Sequence, residues 1–114
     1  FSPEDAAEII RTRAADLLNI KLMKTGGIWQ ALKICSLAEM YGVECMIGCM
    51  LESKLAVSAA AHIAAAKRVI TRADLDGPSL CKADPFTGGP LYENGVIRMT
   101  DAPGIGITRV PAFV

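Results

Sequence analysis

The sequence predicts an α/β fold built on parallel strands, and three observations carry that prediction. Short apolar runs alternate with longer segments of helical periodicity as far as Asp76. The alternation places a helix between each successive pair of strands, which calls for parallel pairing through right-handed crossovers. Hydrophobic residues make up 52% of the 114 residues and mean hydropathy is +0.35. Strands buried on both faces read as continuous apolar runs and would account for such values.

The first element is a helix. Ser2-Pro3-Glu4-Asp5 sets a capping hydroxyl before a proline at the first helical position, with acids in the first turn. Ala6, Ile9, Ile10 and Arg13 follow at helical spacing and leave one apolar stripe. A helix cap with no strand before it leads to the expectation that further residues precede Phe1. Leu17 to Leu22 is a short apolar run and is the first strand. Thr25-Gly26-Gly27 breaks it and caps a helix from about Ile28 to Tyr41, with Ile28, Ala31, Leu32, Cys35 and Ala38 on one face. Gly42 then ends this helix.

Cys45 to Met50 is the second strand, and Leu51-Glu52-Ser53 turns the chain into an Ala-rich helix from about Lys54 to Lys67. Val69 to Asp74 is the third strand. The two strand–helix units have similar lengths, a weak internal repeat. Past Asp76 glycine and proline become frequent, and the segment divides into 1–76 as the α/β body and 77–114 as a separate small tail. Within the tail Leu91 to Arg98 carries Asn94-Gly95, the two-residue turn that favours a type I′ hairpin. Three parallel strands cannot close a barrel, which takes eight strands and roughly 200 residues or more. An open three-stranded sheet would leave two bare edges. The pattern therefore reads as about three-eighths of a (β/α)8 barrel.

Composition narrows the function classes. The 12 basic and 12 acidic residues cancel, so no net charge favours nucleic acid or an anionic membrane surface. Leu55 to Ala66 is the longest apolar stretch and is too short and too weakly apolar to span a bilayer. The four cysteines, Cys35, Cys45, Cys49 and Cys81, form no CxxC and no Cys/His cluster. They read as reduced thiols, and the expected location is the cytoplasm.

In a barrel, catalytic groups stand at the C-terminal ends of strands. Here those ends are Lys21, the Cys49-Met50-Leu51-Glu52 segment, and Asp74 with Asp76. Lys21 is either a strand end whose ammonium snorkels into water or a desolvated amine usable as a general base. Spacing alone favours the first. Asp74 and Asp76, two apart on an extended segment, would point the same way and could clamp a cation. They could equally be a polar strand end before an Asp76-Gly77-Pro78 turn, and pattern alone favours that. Thr25-Gly26-Gly27 could hold an anion at a helix N-terminus, though a plain cap is the simpler reading. His62 reads as a packing or surface residue. Glu52 is either a polar site group or a first-turn acid of the helix that follows.

Longer motifs carry a resemblance. Asn19-Ile20-Lys21-Leu22-Met23-Lys24-Thr25-Gly26-Gly27 resembles the sixth-strand motif of the muconate-cycloisomerase-like subgroup of the enolase superfamily. Gly48-Cys49-Met50-Leu51-Glu52-Ser53 resembles its seventh-strand segment. Arg72-Ala73-Asp74-Leu75-Asp76-Gly77-Pro78 is similar to the eighth-strand segment of the subgroup's dipeptide epimerases. Asp84 to Gly89 and Pro103 to Ile107 continue the likeness into the tail, which would pack toward a capping domain.

The resemblance implies a Mg²⁺-dependent epimerase that removes the proton α to a carboxylate, with Mg²⁺ stabilising the enediolate. Two lysines on opposite faces of the substrate would exchange that proton, Lys21 being one of them. Asp74 and Asp76 would bind the α-ammonium of a dipeptide of the L-Ala-D/L-Glu kind from cell-wall turnover, and Cys49 and Met50 would line the substrate site. The second lysine and the metal ligands belong to earlier strands, so no metal ligand is expected among these residues. The complete enzyme is expected to be a homo-oligomer, and these residues alone to be inactive. Two other readings remain: a sibling activity (o-succinylbenzoate synthase, N-acylamino acid racemase or cycloisomerase), or a non-catalytic truncated chain or half-barrel interaction module. Asp74 and Asp76 argue for an ammonium-bearing substrate over the siblings.

Overall fold

The computed structural model describes residues 2–112. Helix α1 (Pro3–Thr12) opens on a capping box: the Ser2 hydroxyl accepts the Asp5 N–H at 3.1 Å, and the Asp5 carboxylate accepts the Ser2 N–H at 3.0 Å. Strand β1 is Leu17–Lys21, the short helix α2 is Leu22–Thr25, and α3 is Ile28–Tyr41. Strand β2 (Glu44–Gly48), helix α4 (Lys54–Ala66) and strand β3 (Ile70–Asp74) complete the body. β1, β2 and β3 form one sheet in that order, and both pairings are parallel.

Several details differ from expectation. The first strand stops at Lys21, because Leu22 to Thr25 close a helical turn that ends on Gly26 in the left-handed region at φ 85°. The second strand is displaced toward its start and ends at Gly48, leaving Cys49 and Met50 in the following loop. On α3 the buried stripe is Ala31, Ile34, Cys35 and Ala38, whereas Ile28 is exposed and Leu32 half-buried. Asp76 is not extended: it has φ −86° and ψ −2° and begins a 3₁₀ turn, Gly77–Leu80. Shared direction through strand alternation therefore does not apply to Asp74 and Asp76.

The strands are covered on one face only. Leu18 and Ile20 of β1 stand in register with Cys45 and Ile47 of β2, and all four are buried in the core with Ala31, Ile34, Val57 and Ala60 of α3 and α4. The alternate positions Asn19, Lys21, Met46, Gly48, Arg72 and Asp74 belong to the opposite face. β3 is exposed nearly throughout, on the open face and also at Ala73 on the helix side, because it is an edge strand and little covers it. The high hydrophobicity comes instead from the Ala-rich helices and the helix-side strand positions.

The tail folds back on the body. Strand β4 (Thr87–Gly88) pairs antiparallel with β7 (Ile107–Arg109), a pairing the sequence pattern does not signal. The expected hairpin is β5 (Leu91–Glu93) with β6 (Val96–Arg98), and its turn residues Asn94 and Gly95 both have positive φ, 50° and 78°. A type I′ turn requires that conformation at both positions. The Asp84 carboxylate accepts the Lys54 N–H at 2.6 Å at the start of α4, and the Tyr92 hydroxyl donates to the Leu75 carbonyl at 2.8 Å. The accessible surface is 7293 Å², against about 6,000 Å² expected for a folded monomer of this mass. Bare edges on β1 and β3 and an uncovered sheet face contribute to the excess.

Candidate active site

The sheet register assembles the site. Lys21, Gly48 and Asp74 are successive partners across β1, β2 and β3, one row at the C-terminal end of the sheet. At about 4.8 Å per strand, the Lys21 and Asp74 backbones stand about 10 Å apart. Gly48 occupies the gap between them. A Cβ there would lie 3.1 Å from Lys21 Cε and 3.0 Å from Asn19 Oδ1. The missing side chain lets Lys21 lie across the sheet, and its half-buried side chain brings Nζ to 3.9 Å from the Met50 thioether.

The loop after β2 is held from two directions. The Cys49 N–H donates to the Asp74 carbonyl at 3.0 Å, so contact with β3 extends one residue beyond β2. The Met50 N–H donates to the Glu52 carboxylate at 3.0 Å. Gly77 closes against the same loop: a Cβ on it would lie 2.8 Å from the Met50 carbonyl oxygen and 3.2 Å from both the Glu52 nitrogen and Cys49 Sγ. Only glycine allows this approach without moving backbone.

Lys21, Cys49, Met50, Leu51 and Asp76 thus share a cleft of about 260 Å³, and Asp74 and Asp76 share a neighbouring one of about 360 Å³ with Tyr92 and Asn94. The five candidate residues from the sequence therefore converge on one end of the sheet. Both aspartates are exposed, Met50 is partly exposed, and Cys49 is buried. Burial pushes the Cys49 thiol up from its ordinary value, and the nearby carboxylates of Glu52, Asp74 and Asp76 push it further. A hydrogen bond from the Gly77 backbone acts the other way but is outweighed, and the net upward shift disfavours the thiolate. Burial also pushes the Tyr92 hydroxyl up to about 12, in keeping with its donor role toward Leu75. Arg72, on the same sheet face, is held by Glu44 at 2.7 Å.

Two contributors escaped the sequence reading, and a third was left undecided. Gly48 sits inside an apolar strand, where an isolated glycine signals close approach of another group. Gly77 read only as a turn residue. Glu52 was left between two roles, and it precedes α4 with its carboxylate buried, so it is not a first-turn acid. His62 is half-buried and bonds the Ser58 carbonyl at 2.7 Å, a packing role as expected. The Thr25-Gly26-Gly27 segment supplies no side-chain cap to α3. Among the described residues no three His, Cys, Asp or Glu side chains are placed to hold a metal ion, so these residues do not by themselves fit a Mg²⁺ site. No described helix is long and apolar enough to cross a membrane.

The sequence and the fold are shared with known proteins. The chain is 64% identical over 110 residues to the L-Ala-D/L-Glu epimerase of Clostridium acetobutylicum, covering 96% of this chain and 31% of that enzyme. The solved substrate-liganded complex of the L-Ala-D/L-Glu epimerase from Bacillus subtilis superposes with a TM-score of 0.90 at 54% identity, over 94% of this chain and 30% of that one. The dipeptide epimerase of Enterococcus faecalis, complexed with Mg and the dipeptide L-Leu-L-Tyr, gives a TM-score of 0.91 at 46% identity, over 96% of this chain and 31% of that one. The chain thus spans about three tenths of the length of the relatives it matches. Residues 1–112 match the model of one family, and the chain belongs to it: the enolase C-terminal domain-like family.

Proposed function

We propose that these residues form strands six to eight of the barrel of a dipeptide epimerase, an isomerase that inverts the α-carbon of an L-Ala-D/L-Glu type dipeptide. The observation that carries the reading is the row Lys21–Gly48–Asp74, with Asp76 beside it, at the C-terminal end of parallel strands. In this reading Lys21 Nζ takes the α-proton on one face of the substrate and returns it when the reaction runs from the other epimer. Asp74 and Asp76 bind the α-ammonium, which orients the dipeptide so that its α-carbon meets Nζ. Cys49 and Met50 line the site. Mg²⁺ in the complete enzyme is assigned to acids outside the described residues, as is the base on the opposite face. Residues 77–112 would lie toward the capping domain of a cytoplasmic homo-oligomer that processes peptides from cell-wall turnover.

The test is specificity. A charge-assisted hydrogen bond contributes about 1.5–3 kcal/mol, so Asp74→Asn or Asp76→Asn in the complete enzyme should lower kcat/KM for dipeptides with a free amino group roughly ten- to a hundredfold. N-acylated analogues should be far less affected. Equal losses for both substrate types would assign the aspartates a structural role.

A further inference from the structure

Glu52 is the one charged residue buried among those described, at 5% exposure. A buried carboxylate is costly unless its oxygens are engaged, and an apolar residue of similar size would cost less. Its position follows a purpose: it accepts the Met50 N–H at 3.0 Å, and Met50 Sδ in turn lies 3.9 Å from Lys21 Nζ. Gly77 presses the 3₁₀ turn that begins at Asp76 against the same loop, at the Met50 carbonyl and the Glu52 nitrogen. Glu52 therefore sits where the loop facing Lys21 and the turn carrying Asp76 interlock.

We propose that Glu52 is a positioning residue: by reaching the Met50 N–H it fixes the loop whose thioether holds the Lys21 amine over Gly48. It does not touch substrate, and it acts through Met50. The inference rests on the epimerase reading, and its role is one of reach and not of charge.

Two substitutions separate reach from charge in the complete enzyme. Glu52→Asp keeps the carboxylate but is one methylene short of the Met50 N–H, whereas Glu52→Gln keeps the reach without the charge. The expected result is a fall in kcat of tenfold or more for Glu52→Asp with KM within about threefold of wild type. Glu52→Gln should retain kcat within about threefold and melt close to wild type; Glu52→Asp leaves a buried carboxylate less well engaged and should melt somewhat lower, but its kcat loss should persist well below that melting temperature. Equal losses in the two variants, the reverse order, or a kcat loss that tracks a lowered melting temperature or failure to fold would overturn the proposal. The ¹³C resonance of the Met50 methyl group provides a readout independent of turnover: it should shift in Glu52→Asp and stay in place in Glu52→Gln. If wild-type enzyme exchanges no dipeptide α-proton, the epimerase reading fails, and the methyl resonance still decides the role of Glu52.

Discussion

Lys21→Ala in the complete enzyme is expected to abolish epimerisation while leaving Mg²⁺ affinity nearly unchanged. On the proposed reading no neighbour could replace the lysine: Gly48 offers no side chain, Met50 has a thioether, and the buried Cys49 thiol, which shares the cleft, is pushed up from its ordinary value. General base catalysis contributes about 10²–10⁴-fold, so turnover should fall by at least that factor. The loss should be one-sided in isotope exchange. With the opposite base intact, α-proton exchange in D₂O should disappear for one epimer and persist for the other, as NMR of the separated epimers would reveal. Exchange persisting equally from both epimers would mean that Lys21 is not a base.

The 114-residue chain on its own should neither turn over dipeptides nor bind Mg²⁺ specifically, and it should self-associate. No described cluster of acids can hold the ion, and stabilising developing negative charge is usually the largest catalytic contribution. The surface argues for association. Among the described residues β1 and β3 each leave an edge unpaired, and Trp29, Met40, Leu51 and Leu80 are between 65% and 79% exposed. A cleft of about 380 Å³ runs along the β1 edge beneath α1. Sedimentation should reveal species larger than 12.1 kDa, and an assay with Mg²⁺ present should yield no product. Metal-dependent turnover by this chain alone would force a different account of the site.

The order of elements was legible because each carries a local signal. Ser2-Pro3 starts α1, Gly42 at φ 67° ends α3, and Asn94-Gly95 makes the hairpin turn. What was not legible depends on contacts between distant segments. The helical turn at Leu22 to Thr25 was missed, and Leu22 was read as the end of the strand, because leucine and methionine suit either state. The β4–β7 pairing joins residues about twenty apart through two very short strands, too short for any alternation to register. The site was half visible. Lys21, Asp74 and Asp76 stand out as charges at the ends of apolar runs, and the extended resemblance gives them roles. Gly48, Gly77 and Glu52 work by what they allow or hold in a neighbouring loop, and only the register and the close approach reveal that. Asp76 illustrates the limit: it was paired with Asp74 on an extended geometry that the 3₁₀ turn does not have.

The central claim is that the site takes a dipeptide with a free amino group and inverts its α-carbon. The most direct measurement is ¹H NMR of the complete wild-type enzyme with Mg²⁺ and L-Ala-L-Glu in D₂O. The account predicts loss of the glutamyl α-proton signal together with appearance of L-Ala-D-Glu carrying deuterium at that carbon. No exchange with L-Ala-L-Glu, alongside rapid exchange with an N-acylated amino acid, would contradict it and place the enzyme among the racemases that need no ammonium clamp.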